Sequence, residues 1–246
     1  MKTKTSIVLI LILILTLTAT ACSGIYVPRV VRGDGDVIEE SRAIESFDEI
    51  DFRGIGNLYI TIGEEPSLTI EAEENLLDYL ETYNQGDRLV LKIEDGYNIN
   101  PTEPVNFYLT AVSLEAVSVS GLGNVELPEI EADRFRLDLS GAGDIELESL
   151  TAEHLEASLS GLGNLKIDDG QVISQDVSIS GSGEYDAPDM ESEEANIEIS
   201  GLGSATVFVT GYLDVSISGA GGVDYYGDPE IDQSISGLGD LDKLDD

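Results

Sequence analysis

Cysteine, histidine, tryptophan and positive charge are all scarce in this chain of 246 residues. It has one cysteine, one histidine, no tryptophan, and 12 lysines and arginines against 49 aspartates and glutamates. A single thiol cannot build a disulfide framework, so any exported domain must be held by its packed core. The formal charge of −37 repels nucleic acid and anionic lipid headgroups, which excludes DNA, RNA and polybasic-patch membrane binding. From residue 93 onward the basic residues are Arg134, Arg136, Lys166 and Lys243, too few to manage charge in the cleavage of acidic polysaccharides. The acidic pairs Asp168-Asp169 and Glu193-Glu194 fall at turns and read as solvated. His154 reads as a solvated side chain in a polar turn. No nucleophilic triad, phosphate loop or metal-ligand cluster is visible, and no helix of useful length is patterned.

Strong patterning is present instead. Apolar residues make up 41% of the chain and alternate with the acids, unlike a disordered acidic tail. The N-terminus carries Lys2 and Lys4, then an apolar core from Ile7 to Leu17, then Ala19-Thr20-Ala21-Cys22. A basic start, a short apolar core and small residues before the junction make an export signal over 1–21. The core is short for a membrane span, which needs about 20 residues. The stretch before Cys22 resembles a bacterial lipobox, with Ala19 where leucine is usual. That resemblance implies lipidation at Cys22 and anchoring to the outer membrane or cell surface. Removing residues 1–21 takes Lys2 and Lys4 from the 12 basic residues, leaving 10 against 49 acids, a charge of −39. Adaptation to a saline habitat and collection of divalent cations both fit that charge.

The dominant feature is Ser-Gly-x-Gly followed by a small or polar residue, in seven copies starting at Ser120, Ser140, Ser160, Ser180, Ser200, Ser218 and Ser236. Spacings of 20, falling to 18 for the last two, are those of a solenoid in which each repeat is one stacked coil. Apolar columns flank the motif. One residue before it stand Val119, Leu139, Leu159, Ile179, Ile199, Ile217 and Ile235. Three before stand Val117, Leu137, Ala157, Val177, Ile197, Val215 and Gln233. Five before stand Phe135, Leu155, Ala195, Leu213 and Ile231, with Gln175 the exception. Five after the serine stand Val125, Ile145, Leu165, Tyr185, Ala205, Val223 and Leu241. Each column reads as an inward ladder, with Ser118, Asp138, Ser158, Ser178, Glu198 and Ser216 pointing outward.

The fold expected is therefore all-β, a parallel β-solenoid with about 20 residues per coil. Residues 22–45 read as a lipid-anchored tether with a lead-in strand, 46–112 as N-terminal β coils with an irregular β cap, and 113–246 as the regular repeat. Arg53-Gly54-Ile55-Gly56-Asn57 is a degenerate copy of the motif with Arg for Ser. Asn84-Gln-Gly-Asp87 reads as a hairpin turn, and Glu73 to Leu80 as a single helical turn or an irregular crossing. The last coil, ending in charged Leu241 to Asp246, blunts an open edge.

The motif glycines, expected as structural turn residues, are Gly54, Gly56, Gly121, Gly123, Gly141, Gly143, Gly161, Gly163, Gly181, Gly183, Gly201, Gly203, Gly219, Gly221, Gly237 and Gly239. Two reasons for them present themselves: dihedrals open only to glycine, and close packing of successive coils. The residue between them, mostly Leu or Ala, reads as an inward plug for the corner. The Asn or Asp after the second glycine reads as a side-chain ladder. An alternative reading is Ca²⁺ binding along Asn124, Asp144, Asn164, Glu184 and Asp240. Gly-x-Gly-Asp resembles part of the Ca²⁺-binding nonapeptide of β-roll toxins, but the period differs and Ser204 and Gly222 break the column. A glycan-active enzyme on a β-helix is the second alternative.

Phe47-Asp-Glu-Ile-Asp-Phe-Arg-Gly-Ile-Gly-Asn57, the strand Leu89 to Ile93 and the Ser-Gly-x-Gly-Asn/Asp repeats together resemble the head GIN domain proteins, also described as auto-transporter adhesin heads. The resemblance covers about residues 44 to 240. It implies a right-handed β-solenoid in an exported, often lipid-anchored protein. The function so implied is non-enzymatic: adhesion or surface interaction, without cofactor, with an envelope glycan or surface protein as partner and the membrane reached through the N-terminal lipid.

Overall fold

The computed structural model describes residues 28–245, so the signal segment and Cys22 lie outside the described residues. Strand takes 67% of the chain and helix 2%, in a β-solenoid of about six regular turns roughly 20 residues apart. The strands of the first part are β1 (Arg29–Arg32), β2 (Val37–Arg42), β3 (Glu49–Arg53), β4 (Ile55–Ile62), β5 (Ser67–Glu73), β6 (Leu80–Gln85), β7 (Arg88–Ile93), β8 (Tyr97–Asn100) and β9 (Asn106–Ala111). A single helical turn, α1 (Glu74–Leu77), buries Leu76 and Leu77. The repeat follows as β10 (Ala116–Val119), β11 (Leu122–Leu139), β12 (Ile145–Leu159), β13 (Leu165–Ile167), β14 (Gly170–Ile179), β15 (Glu184–Ile199), β16 (Ser204–Ile217), β17 (Gly222–Tyr226), β18 (Glu230–Ile235) and β19 (Asp240–Lys243).

In the repeat, each strand lies parallel on the previous one and the columns stack residue on residue. Val119 pairs with Leu139, Leu139 with Leu159, Leu159 with Ile179, Ile179 with Ile199, Ile199 with Ile217 and Ile217 with Ile235. All but Ile235 are buried, as are Val117 to Val215 and Val125 to Val223 in their own columns. Burying one such branched side chain stabilises the fold by roughly 1.5–3 kcal/mol, so the columns supply the main driving force. Gln175, the polar exception, is buried too. Its Oε1 accepts from the Tyr185 hydroxyl at 2.8 Å, and its Nε2 donates to Ser192 Oγ at 2.9 Å. Ser192 in turn donates to the Phe208 carbonyl at 2.9 Å. A buried polar chain with every member partnered is tolerated where an orphan would not be.

The first part does not follow chain order. Arg53 to Asn57 lies directly against Ser120 to Asn124, with Ile55 opposite Leu122 and Gly56 opposite Gly123. On its other flank β3 pairs with β7 and β4 pairs with β9, both parallel. The coil built from 88–111 is thus stacked outside the coil built from 49–62, although it comes later in the chain. The excursion between them supplies the cap. Strand β5 adds antiparallel to β9, β2 adds antiparallel to β5, and β6 adds antiparallel to β7 in a hairpin whose turn uses Gly86 at φ +66°. Residues 29–42, expected as tether and lead-in strand, form two strands of this cap, β1 on β8 and β2 on β5.

Candidate interaction surface

The corner motif was the first candidate. Among its glycines only Gly56, at φ +118°, occupies the left-handed region, so special dihedrals do not explain the repeat. Close stacking does. A Cβ on Gly121 would lie 1.9 Å from the Gly54 carbonyl oxygen, one on Gly143 1.9 Å from that of Gly123, and one on Gly163 1.7 Å from that of Gly143. The coil-to-coil hydrogen bonds run on through the bend, as in Leu162 N–H to the Gly141 carbonyl at 3.1 Å and Ala142 N–H to the Gly121 carbonyl at 3.2 Å. The inward-plug reading of the middle residue is wrong. Leu122, Leu162, Leu202 and Leu238 are 65%, 70%, 69% and 89% exposed, and it is the second glycine, Gly123 or Gly163 for example, that faces the core. A straight backbone through the corner alternates its faces, so the core-facing glycine leaves the residue before it pointing out.

The Asn/Asp column forms a ladder of side chain to backbone. Asn124 Oδ1 accepts from Asp144 N–H at 3.1 Å, Asp144 Oδ1 from Asn164 N–H at 2.8 Å, and Asn164 Oδ1 from Glu184 N–H at 3.2 Å. Oxygens committed this way are poor candidates for Ca²⁺, which takes six to eight ligands. No group of three or more His, Cys, Asp or Glu positioned for a metal occurs among the described residues. Lys166, between Glu146 and Asp186 on the stacked strands, bonds Asp168 at 2.6 Å.

His154 lies mid-strand on β12 and not in a turn. Its Nδ1 sits 2.9 Å from Ser174 Oγ and its Nε2 3.4 Å from Asp176 Oδ2. Ser174 is the stacked neighbour of His154, and Asp176 the next outward residue on the same strand. These contacts are those of a cross-strand ladder on an open sheet face.

The sequence reading missed two groups. The first is on the outward face of the N-terminal coils. Asn57-Leu-Tyr59-Ile-Thr61 and Asn106-Phe-Tyr108-Leu-Thr110 share their three outward residues and stack in register. The Tyr59 and Tyr108 rings lie 5.4 Å apart at 16°, with Tyr108 45% exposed. Asn57 Nδ2 donates to Asn106 Oδ1 at 3.0 Å, and Asn106 Nδ2 donates to Glu71 Oε2 at 2.8 Å. The Tyr108 hydroxyl donates to the same Glu71 oxygen at 3.2 Å, while Thr61 and Thr110 hydroxyls meet at 3.3 Å. Partial burial, then the Glu71 charge, push the Tyr108 phenol up from its ordinary value. Aromatic rings, amides, hydroxyls and a carboxylate therefore share one flat patch. The repeated Asn-x-Tyr-x-Thr was the signal available in the sequence.

The second missed group is Glu73, fully buried at the end of β5. Its oxygens accept from Gly35 N–H at 2.6 Å, Thr102 N–H at 2.8 Å, Thr102 Oγ1 at 2.5 Å and Glu103 N–H at 3.5 Å. Burial alone would raise its pKa, but these donors outweigh burial and hold it below the usual carboxylate value. Nothing in its spacing announces this role, because the donors come from loops 38 residues before it and 29 after.

A family model described as "Putative auto-transporter adhesin, head GIN domain" matches residues 46–229. The chain belongs to the head GIN domain family. Solved structures agree in fold. A putative adhesin from Bacteroides fragilis superposes with TM-score 0.83 at 22% identity, covering 87% of this chain and 100% of that one. One from Parabacteroides merdae gives 0.72 at 24%, covering 88% and 100%. A third structure, described as a putative lipid binding protein from Parabacteroides distasonis, gives 0.70 at 26%, also over 88% and 100%. None of the curated proteins compared matches the chain.

Proposed function

We propose that this head GIN domain is a non-enzymatic surface-interaction module, exported and lipid-anchored at Cys22, whose N-terminal coils hold an uncharged envelope glycan. The observation that carries the reading is the exposed Tyr59–Tyr108 stack set among Asn57, Asn106, Glu71 and the Thr61–Thr110 pair. Sugars offer apolar C–H faces to aromatic side chains and hydroxyls to amides and carboxylates, and recognition on a rigid sheet needs little reorganisation. The acidic surface turns polyanionic glycans away, which leaves neutral ones. Adhesin-like relatives support the surface role.

The test is calorimetric titration of the chain against a panel of neutral and acidic envelope glycans, with Tyr108→Ala and Tyr59→Ala beside it. Binding of a neutral glycan should weaken at least tenfold in either variant while the melting temperature holds. Unchanged affinity in both variants overturns the assignment. For the anchor, Cys22→Ser should move the protein out of the membrane fraction, and unchanged fractionation would argue against lipidation.

A further inference from the structure

The row of outward middle residues has a rhythm that the fold does not require. Through the seven regular copies it reads Leu122, Ala142, Leu162, Ser182, Leu202, Ala220, Leu238, so a large apolar side chain alternates with a small one, and Ile55 of the degenerate copy, stacked on Leu122, ends the alternation. All seven are exposed, and the leucines are among the most exposed large apolar residues of the protein. With coils about 4.8 Å apart, the leucines stand about 9.6 Å from one another, each separated by a gap over a small residue. The comb is rigidly mounted: Leu122, Leu162, Leu202 and Leu238 each donate their backbone N–H to a glycine carbonyl of the coil beneath, at 2.9–3.1 Å.

The strip carrying the comb is also uncharged. Ser-Gly-x-Gly contributes no acid in any of its seven copies, in a chain with 49 acidic residues. Acids flank it in the column that follows. There Asp144 and Glu184 accompany small teeth and Asn124, Asn164 and Ser204 accompany leucines, while Gly222 and Asp240 reverse that order in the last two coils. Through the first five coils, two copies of so acidic a molecule can approach along this strip without opposing carboxylates across the contact.

We infer that the leucine comb is a homodimer interface, in which a second copy of this chain runs antiparallel and seats its leucines over Ala142, Ser182 and Ala220 of the first. A two-fold arrangement satisfies this reciprocally, because a pattern alternating with a period of two coils meets its own complement when reversed and offset by one coil. With the one-coil offset six of the seven coils overlap, over five coil steps or roughly 24 Å, a narrow contact at the low end of the sizes that stable dimers use. A lipid bilayer would be served equally by an unbroken leucine column, so the alternation favours a partner with matching teeth. The interface lies on the corner edge and adjoins the tyrosine patch where Asn57 stacks on Asn124, but none of its teeth belongs to the patch and it stands independently of the glycan reading.

The test uses the chain carrying Cys22→Ser in sedimentation equilibrium at 0.15 M salt and above, where like-charge repulsion is screened. A dimer is expected, with Leu162→Ser plus Leu202→Ser raising its dissociation constant at least a hundredfold at an unchanged melting temperature. The deciding variant fills a gap. Ser182→Leu adds apolar surface, yet should weaken the dimer at least tenfold because it removes the seat for a tooth. A monomer at 100 μM, or stronger association in Ser182→Leu, would overturn the inference. So would flotation with neutral phosphatidylcholine vesicles that is lost in the leucine variants and strengthened by Ser182→Leu, which would assign the comb to a bilayer.

Discussion

At the N-terminal end of the rod the outermost strands, β2 and β6, run antiparallel to their neighbours, and α1 with its loops folds over the core. At the other end β18 and β19 continue the parallel stack, and all residues of β18 are exposed. The first end leaves chain order to close itself, threading the coil of 49–62 between two later ones. The second keeps strict order and is left uncovered by the described residues, its edge lined by Glu230, Asp232, Asp240 and Asp242. Charge on an open edge discourages strand addition without needing a lid. The comparison separates two kinds of stabilisation. The repeat is held by identical neighbours at fixed spacing, and the cap by individual contacts each made once.

The largest expected effect strikes the repeat at its spacing. Gly163→Ala places a Cβ 1.7 Å from a backbone oxygen that cannot retreat without parting two coils. A loss of more than about 3 kcal/mol, or failure to fold, is expected in denaturant titration. The cap glycine Gly86, at φ +66° with nothing within 4 Å of its Cβ position, suffers only dihedral strain, about 1 kcal/mol as Ala. Equal losses at the two positions would mean that dihedral preference, and not coil spacing, selects the repeat glycines.

Acid should next break the cap and spare the repeat. The folded-state pKa of Glu73 is lowered, so its contribution is complete above its unfolded value, about 4.3, and is lost as pH falls through the folded value. Hydrogen exchange at pH 3 should therefore open residues 33–36 and 100–104 before the strands of the repeat. Glu73→Gln should open the same segments already at pH 7, since an amide NH₂ would face either the N–H group of Gly35 or those of Thr102 and Glu103. Simultaneous opening of cap and repeat in acid would remove Glu73 from this role.

A smaller effect distinguishes the one coil pair of the repeat that behaves like the cap. Gln175→Leu leaves the buried Tyr185 hydroxyl without its acceptor, at a cost of about 1–3 kcal/mol. Adding Tyr185→Phe to it should recover most of that loss, because the matched apolar pair leaves no buried hydroxyl without an acceptor while Ser192 keeps its bond to the Phe208 carbonyl. A double variant as unstable as the single one would show that packing volume, not hydrogen bonding, fixes these positions.

The fixed period made the architecture legible: once Ser120 and its copies are aligned, the strand pairings that flank the motif follow, and even Arg53 to Asn57 finds its stacked partner, although the two register shifts between β15 and β16 do not follow from it. Three features were not legible, each for a physical reason. Spatial order in the first part depends on contacts between β3 and β7 that share no sequence signature. The direction of Leu122 and its equivalents depends on whether the backbone alternates through the bend, which glycine permits either way. Glu73 is defined by donors from two distant loops. The tyrosine patch was hidden for a different reason, since Tyr59 alone reads as an ordinary outward strand residue until Tyr108 is placed on it.

The smallest expected effect lies within a single column. Ile199 and Ile235 occupy the same position before the motif and are indistinguishable by pattern. Ile199 is 1% exposed between two coils, whereas Ile235, on the last described coil, is 39% exposed. Ile199→Val should cost about 0.5–1.5 kcal/mol for the methylene withdrawn from a packed site, and Ile235→Val a few tenths at most. If the two lose equally in denaturant titration, something covers the last coil in solution, and the open end of the rod is a docking face. If they differ as expected, burial in a solenoid column is set by the presence of the next coil and not by the residue, which is why a repeat pattern alone overstates the core at its own terminus.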